Sequence, residues 1–184
     1  MKVIFLDIDG VLNTSQTFVD IHNEYIETGV RRIEIDLKRL NLLKKIVDQT
    51  GAVIVLSSSW RSFGKMECGK YTPLNEKMAS LIKLFNEYGL SIYDVTPKDA
   101  NGIRQNEIEA WLKNKNIENF IVIDDESFDL QIFLNKELIK TSFTADDEMI
   151  KNMDDCAGLC EHHVVEAIKK LTLKNNKNWP LDIV

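Results

Sequence analysis

Short runs of apolar residues alternate along this chain with longer stretches of helical periodicity. Three of the runs are continuous and rich in Val and Ile, and a fourth is shorter and more mixed. Continuous apolar runs of this length, separated by helical patterns, are typical of strands in a parallel sheet that is covered on both faces. The pattern predicts strands over 2–7, 53–56, 90–95 and 119–123.

Apolar residues at helical spacing predict helices between these strands. Asp36 is a typical N-cap for the first of them, which runs to about Gln49, and Gly51 is a natural terminator. Similar stripes predict further helices over 75–88, 101–113 and 161–173. Because strands and helices alternate, the pattern predicts an α/β fold, built as a three-layer α/β/α sandwich.

Some segments lack a clear period. The chain between the first strand and about Arg32 is polar, and residues 60–73 are irregular, with two glycines and a proline. Residues 128–133 and 138–143 fit neither a helix nor a strand pattern well. We expect loops in the first two of these segments.

Composition indicates an ordinary soluble globular protein. The chain has 184 residues, 44% hydrophobic and 28% charged, which fits one domain over 1–173 with a loosely attached tail over 174–184. The net charge of −6 argues against broad, nonspecific binding to nucleic acid, although a local basic groove stays possible. Short apolar runs and three cysteines predict no membrane segment, no secretory signal and no disulfide framework, so we expect a cytoplasmic protein.

Two acids and a glycine follow the first predicted strand. Side chains two positions apart in an extended chain lie on the same side, so Asp7 and Asp9 share one small space. Two carboxylates brought together repel each other unless a cation or a shared proton relieves them. A divalent metal is the usual relief, and it leaves one carboxylate free to act as a nucleophile. A plain Asp-Gly turn is the alternative interpretation.

Polar residues also follow two other predicted strands. Three serines, at 57–59, come after the second apolar run, and Asp124 and Asp125 come after the last. Ligands bind at the carboxyl ends of the strands in open parallel sheets, and these ends lie at one edge. We therefore expect Asp7 and Asp9, a serine hydroxyl and a second acidic pair at that edge.

In this order the residues resemble the haloacid dehalogenase (HAD) superfamily of phosphotransferases. The resemblance covers the Asp-x-Asp-Gly start, a serine after the second strand, a basic residue that leads a later helix, and a late acidic pair. More narrowly, three segments resemble the HAD domain of Swiss Army Knife RNA-repair proteins: 56–61, 104–112 and 123–126. The resemblance implies a Rossmannoid parallel sheet with a minimal cap or none.

The resemblance also implies roles near the first two strands. Asp7 would attack phosphorus to give an aspartyl-phosphate, and Asp9 would protonate the leaving oxygen and later deprotonate water. An acid at position 9 is typical of the phosphatase and phosphomutase branches of the superfamily. Ser57 would bind a phosphoryl oxygen, with Ser58 as the alternative. Arg61 would meet the substrate phosphate or remain an ordinary surface residue.

A cation and a metal complete the implied site. Arg104 matches the narrower family and is favoured as the cation over Lys98, because a guanidinium suits bidentate phosphate contact. Mg²⁺ prefers oxygen ligands and retains waters. Its expected protein ligands are the carboxylate of Asp7, the backbone carbonyl of Asp9 and one acid of the pair Asp124 and Asp125.

Two other patterns are weaker. Residues 64–70 match a phosphate-binding P-loop up to the position where Tyr71 replaces the required Ser or Thr, and we interpret the match as chance. A second group lacks the usual zinc-finger spacing and is better explained by a buried thiol or a surface histidine: Cys156, Cys160, His162 and His163.

Little sequence is left over for a cap. Only residues 11–35 precede the first predicted long helix, and the segment after the second strand is needed for the core. In the resembled family an open site of this kind usually takes a large substrate, such as a nucleic-acid end or a protein, or a cap from a partner subunit. The alternatives are a phosphatase for nucleotides or sugar phosphates and a non-catalytic phosphate- or protein-binding module. A phosphomutase is disfavoured because its site must exclude water.

Overall fold

The computed structural model describes residues 1–134, 136–145 and 157–173. Seven strands lie within these ranges, and five of them form a parallel sheet while β3 and β4 form a separate hairpin. In chain order the strands are β1 (Lys2–Leu6), β2 (Val53–Leu56), β3 (Gly64–Glu67), β4 (Lys70–Pro73), β5 (Ile92–Val95), β6 (Asn119–Asp124) and β7 (Leu138–Lys140).

The parallel sheet has the order β5-β2-β1-β6-β7, so β1 lies at its centre. Leu6 is in register with Leu56 on one side and with Ile123 on the other. The next residue of each strand therefore stands at the same level of the sheet. The ladder continues one step further, because Asp7 N donates to Ile123 O at 3.0 Å and Ser57 N donates to Leu6 O at 2.9 Å.

Five helices connect the strands within the described ranges. Asp36 accepts a hydrogen bond from the Lys38 amide at the start of α2, and Gly51 adopts a left-handed conformation at its end, as the sequence predicts. The helices are α1 (Ser15–Thr28), α2 (Leu37–Thr50), α3 (Glu76–Glu87), α4 (Arg104–Leu112) and α5 (Glu161–Thr172). Short 3₁₀-helices span Ser59–Phe63 and Gln131–Phe133.

Alternate residues of the central strands supply two separate cores. On one face Ile4 and Leu6 pack with buried residues of α2, α3 and α5. On the other face Val3 and Phe5 pack with α4, where the ring of Phe5 meets the edge of Trp111 at a centroid distance of 5.2 Å. These two layers of helices around one sheet confirm the predicted three-layer α/β/α sandwich with a parallel sheet.

Helix α1 occupies a segment for which the polar sequence predicts a loop. Only Thr17 and Ile21 of this helix are buried, so it carries no apolar stripe that a periodicity argument could detect. Local hydrogen bonds define its ends instead. Thr14 and Thr17 form a reciprocal capping box, and Gly29 closes the helix in a left-handed conformation.

Residues 60–73 are also more regular than expected. They contain the end of a 3₁₀-helix and the hairpin of β3 and β4, whose turn places both Cys68 and Gly69 at positive φ. Two such residues are the requirement of a tight hairpin turn. Because the segment forms a hairpin and no helix follows the glycine-lysine pair, its likeness to a P-loop is a chance match.

Helix α1 and the β3–β4 hairpin stand at the two points of the chain where a cap domain would be inserted, after β1 and after β2. The described ranges hold no further domain at either point. This arrangement agrees with a minimal cap. No helix in the described part of the chain is long and apolar enough to span a membrane. The predicted tail over 174–184 and Cys156 lie outside the described residues.

Candidate active site

Three aspartates meet at the carboxyl edge of the sheet. Asp7 follows the central strand β1, and Asp124 and Asp125 lie at the end of the neighbouring strand β6. Each offers one carboxylate oxygen, and these oxygens all lie within 4.8 Å of one another. Oxygen donors of this kind are the ligands that Mg²⁺ prefers, so the three side chains fit a hard divalent cation.

Burial makes this cluster electrostatically costly without a cation. It raises the pKa of Asp7 to about 7, a shift that the neighbouring carboxylate of Asp124 increases. Burial also raises the pKa of Asp125 to about 6, again with help from Asp124. The pKa of Asp124 is raised by the same cause, although Arg104 opposes the shift. Protons therefore compete with a metal for these oxygens near neutral pH.

Arg104 is the cation that the structure places in contact with Asp7 and Asp124. Its Nη1 lies 3.3 Å from Asp7 Oδ1 and also pairs with Asp124. Arg104 is the first residue of α4, and its position depends on Asp129, whose carboxylate accepts the Arg104 amide at 2.8 Å. This cap comes from a loop 25 residues away, because Ile103 at the N-cap position offers no side-chain hydrogen bond.

Gly10 makes room for Asp125. Its φ is +72°, and a Cβ at this position would lie 2.2 Å from Cγ of Asp125. Its carbonyl accepts a hydrogen bond from the Thr141 hydroxyl at 2.7 Å. The glycine of the Asp-x-Asp-Gly sequence is thus needed for the turn and for the close approach of a metal-ligand candidate.

Asp9 stands apart from the three-carboxylate cluster, and its side chain is held by two donors. Asn13 Nδ2 donates to Oδ1 of Asp9 at 2.9 Å, and Trp60 Nε1 donates to Oδ2 at 2.9 Å. Asn13 is fully buried, and its own Oδ1 accepts the Gly10 amide at 3.1 Å. The carboxyl group of Asp9 is therefore oriented by Asn13 and Trp60, which have no assigned role in the metal or phosphate sites that the sequence predicts.

The serines after β2 divide into two environments. Ser58 hydrogen-bonds the carboxylate of Asp7, and its Oγ also accepts the Trp60 amide at 3.3 Å, which caps the 3₁₀-helix. Ser57 is fully buried, yet its hydroxyl has no hydrogen-bond partner among the described residues. A buried hydroxyl without a partner is costly and suits a site that a ligand oxygen completes.

Arg61 is engaged by the protein itself. It forms a buried ion pair with Glu107 of α4, and its Nη1 donates to the backbone carbonyl of Ser58 at 3.0 Å. The same Glu107 accepts the Asp99 amide at 3.1 Å. The ion pair connects the segment with the serines at 57–59 to the helix that begins with Arg104. Nε of Arg61 is buried without a partner in the described part of the chain.

Lys98 lines an open cavity whose lining does not include the three aspartates of the cluster. The cavity has a volume of about 270 Å³ and reaches Arg104. Lys98 is exposed and makes no ion pair within the described residues. The cavity is lined by Ser59, Arg61, Ser62, Lys98, Gly102, Arg104, Glu107 and Asp129.

The cysteine and histidine group gives no comparable cluster in the described ranges. His163 is buried rather than at the surface, because it faces the protein at the start of α5, where its Nδ1 accepts the Cys160 amide at 3.1 Å. Burial lowers the pKa of His163 to about 4. Its role is therefore to cap and pack a helix.

Comparison with known proteins adds one match. A family model described as the HAD domain in Swiss Army Knife RNA repair proteins matches residues 3–146. This range contains every predicted site residue, and the match confirms the resemblance that the sequence motifs indicate. No curated protein and no solved structure gives a significant match.

Proposed function

Because this match covers most of the chain, the protein belongs to the family of HAD domains found in Swiss Army Knife RNA repair proteins, and we propose that it is a Mg²⁺-dependent phosphomonoester hydrolase. Family membership supports a HAD-type phosphatase in general. The observation that carries the finer proposal is the meeting of Asp7 with Arg104 and with the acids that end β6.

Asp7 is the proposed nucleophile. One of its carboxylate oxygens attacks phosphorus, and the new O–P bond forms as the bond between phosphorus and the leaving alcohol oxygen breaks. Asp9 donates a proton to that leaving oxygen. In the second step Asp9 takes a proton from water, the water oxygen attacks phosphorus, and the aspartyl-phosphate bond breaks. This step releases inorganic phosphate and restores the carboxylate of Asp7 and the protonated form of Asp9.

Other side chains compensate for charge and orient the phosphoryl group. Arg104 contacts Asp7 and is placed to neutralise negative charge that develops on the phosphoryl oxygens. The unpartnered hydroxyl of Ser57 offers a hydrogen bond to such an oxygen, and Ser58 holds the nucleophile. Mg²⁺, when bound by Asp7, the Asp9 carbonyl and the 124–125 pair, would supply further positive charge next to the phosphoryl group.

A polynucleotide end is the proposed substrate. The minimal cap leaves the site open, and the cavity beside Arg104 adds Lys98 as a cation without a protein partner in the described residues. These features suit a phosphate that belongs to a long chain, with the exposed Lys98 near the flanking anionic backbone. The name of the family, which refers to RNA repair, supports the same substrate class.

A small-molecule phosphatase is the alternative, favoured by the net charge of −6, which weakens general attraction to nucleic acid. A panel that sets 3′- and 5′-phosphorylated oligonucleotides beside nucleotides and sugar phosphates separates the two. We expect the highest kcat/KM on an oligonucleotide end, and preference for the small molecules would contradict the proposed substrate.

The catalytic proposal itself is tested with a generic aryl phosphate. Asp7→Asn should abolish hydrolysis in the presence of Mg²⁺ while circular dichroism shows an intact fold. Turnover near that of the wild type would refute the assignment of the nucleophile, whereas a wild-type protein without turnover would favour the non-catalytic phosphate-binding module.

A further inference from the structure

The two hydrogen bonds to Asp9 fix the plane of its carboxyl group. Rotation about the Cβ–Cγ bond of an aspartate is soft, so a single donor leaves the group free to pivot. Here Asn13 holds one oxygen and Trp60 the other, each at 2.9 Å. We propose that Trp60 is a positioning residue that orients Asp9 for proton transfer to the leaving oxygen, an inference that rests on the proposed function.

Trp60 is itself held firmly. Its side chain is 2% exposed, and its backbone lies in the 3₁₀-helix that Ser58 caps. Lys77 Nζ lies over the indole ring, 3.8 Å from the ring centroid. An ammonium group over an aromatic face is attracted by the ring, and this contact stabilises the plane in which the indole N–H points.

The contacts around Asp9 close into a ring. Lys77, which covers Trp60, pairs with Glu34 at 3.2 Å, and the Glu34 carbonyl accepts a hydrogen bond from Asn13 Nδ2 at 3.1 Å. Asn13 in turn donates to Asp9. Both donors of the carboxylate are therefore linked through the same lysine and glutamate, so the position of one depends on the position of the other.

The two hydrogen bonds orient Asp9 and still leave each carboxylate oxygen able to accept a proton. A carboxylate oxygen has two lone pairs, and each oxygen of Asp9 accepts one described side-chain hydrogen bond. A lone pair remains on each to carry the transferred proton. The indole N–H is a donor only and cannot exchange this proton, so Trp60 acts through Asp9 and has no direct part in the chemistry.

A leaving-group comparison distinguishes this role from a purely structural one. Benzyl phosphate releases an alkoxide that needs a proton, whereas 4-nitrophenyl phosphate of similar size releases a stable phenolate. Trp60→Phe keeps an aromatic ring for Lys77 and removes the N–H. Because a misplacement of about 1 Å can cost about 100-fold in rate, we expect kcat/KM for benzyl phosphate to fall about tenfold further than that for 4-nitrophenyl phosphate. This parameter reports the first, proton-donating step.

The chain offers a matched control. Trp111 is also buried, its Nε1 donates to the carboxylate of Asp94 at 2.7 Å, and Lys115 Nζ lies 4.1 Å from its ring centroid. Trp111→Phe therefore removes the same kind of hydrogen bond from the α4 core, away from Asp9. We expect the ratio of the two kcat/KM values to stay within about twofold of the wild type.

Two further outcomes keep the proposal distinct from the proposed function. Asp9→Asn should show a larger leaving-group effect than Trp60→Phe, and an unchanged ratio in Asp9→Asn would overturn the acid assignment itself. If Asp9→Asn shows the leaving-group effect while Trp60→Phe lowers kcat/KM equally for both substrates, the positioning role of Trp60 is wrong. Where Trp60→Phe unfolds, replacement of Trp60 by benzothienylalanine keeps the ring shape without the N–H, and the same ratio decides.

Discussion

The guanidinium of Arg104 lies between two acids, with Nη1 3.3 Å from Oδ1 of Asp7 and also paired with Asp124. Arg104 compensates part of the negative charge that the aspartate cluster carries when fully ionised. Lys140, whose Nζ donates to the Asp125 carbonyl at 2.8 Å, opposes the rise in the pKa of Asp125. A divalent metal would compensate the remaining negative charge. The composition of the site thus agrees with a Mg²⁺ centre that holds a phosphoryl group.

Arg104 is expected to be indispensable for turnover. Arg104→Ala removes the only cation that the described structure places in contact with Asp7, and a lost donor of this kind typically costs about 100-fold or more in kcat. Steady-state kinetics with an aryl phosphate and saturating Mg²⁺ measures the loss. Lys98→Ala is the competing variant, and a larger loss of kcat in it would transfer the role of the catalytic cation to Lys98.

Asp7→Asn is expected to stabilise the metal-free protein. The amide removes one of three crowded acids, and the raised pKa of Asp7 indicates a penalty on the order of 4 kcal/mol at neutral pH. The melting temperature in EDTA should therefore rise by roughly 10 °C. Mg²⁺ should raise the melting temperature of the wild type and change that of Asp7→Asn little.

The exposed acid Asp48 supplies the control for this measurement. It lies on α2 and pairs only at the surface with Lys44. Asp48→Asn should leave both the melting temperature in EDTA and the response to Mg²⁺ close to those of the wild type. An equal response to Mg²⁺ in Asp7→Asn would argue against a metal site at Asp7.

Stability of the metal-free protein should fall as pH rises. The pKa of Asp7 is about 7 in the folded chain, against its ordinary value of 3.8 when unfolded. Between these values the native state keeps a proton that the unfolded state has lost, so the contribution of Asp7 is complete below pH 4, declines up to pH 7 and is then lost. Denaturant titrations at several pH values, compared with Asp7→Asn, isolate this contribution.

The same groups couple Mg²⁺ binding to proton release. Asp7 and Asp125, with pKa values of about 7 and about 6, must ionise before they bind a cation. Calorimetry in buffers of different ionisation enthalpy should detect roughly one to two protons released per Mg²⁺ at pH 6 and almost none at pH 8.5. No release at pH 6 would contradict a site made of these carboxylates.

Gly10→Ala should damage the metal site more than backbone strain alone would. A Cβ would collide with Asp125 in a residue that also has a positive φ. Gly29 has nearly the same φ, +70°, with no atom within 4 Å of its Cβ position, so Gly29→Ala measures the strain by itself, about 1 kcal/mol. We expect a greater loss of stability and weaker Mg²⁺ binding in Gly10→Ala only.

The strands and the residues that follow them could be predicted because each apolar run is a local pattern in the sequence. Once β1, β2 and β6 align, Asp7, Ser57 and Asp124 reach one edge without further information. The sequence could not decide between Arg104 and Lys98 as the catalytic cation, because the choice depends on the distance of each from Asp7. The structure places Arg104, and not Lys98, in contact with Asp7.

Trp60 and Asp129 could not be assigned in this way. The contact between Trp60 and Asp9 spans 51 positions and depends on a 3₁₀-helix within a segment that has no periodic pattern. Asp129 caps a helix that begins 25 residues earlier, so no local capping signal exists. Sequence reasoning finds residues that chemistry requires, and it misses those that only orient them.

Asp7 follows β1 and Asp124 ends β6, and these two strands pair along five consecutive positions. The spacing of two metal-ligand candidates is thus fixed by the middle of the sheet, where loop motion has little influence. A cation bound there would cross-link the two central strands. Amide hydrogen exchange in β1 and β6 should then slow on addition of Mg²⁺, while the amides of the β3–β4 hairpin exchange at their former rate.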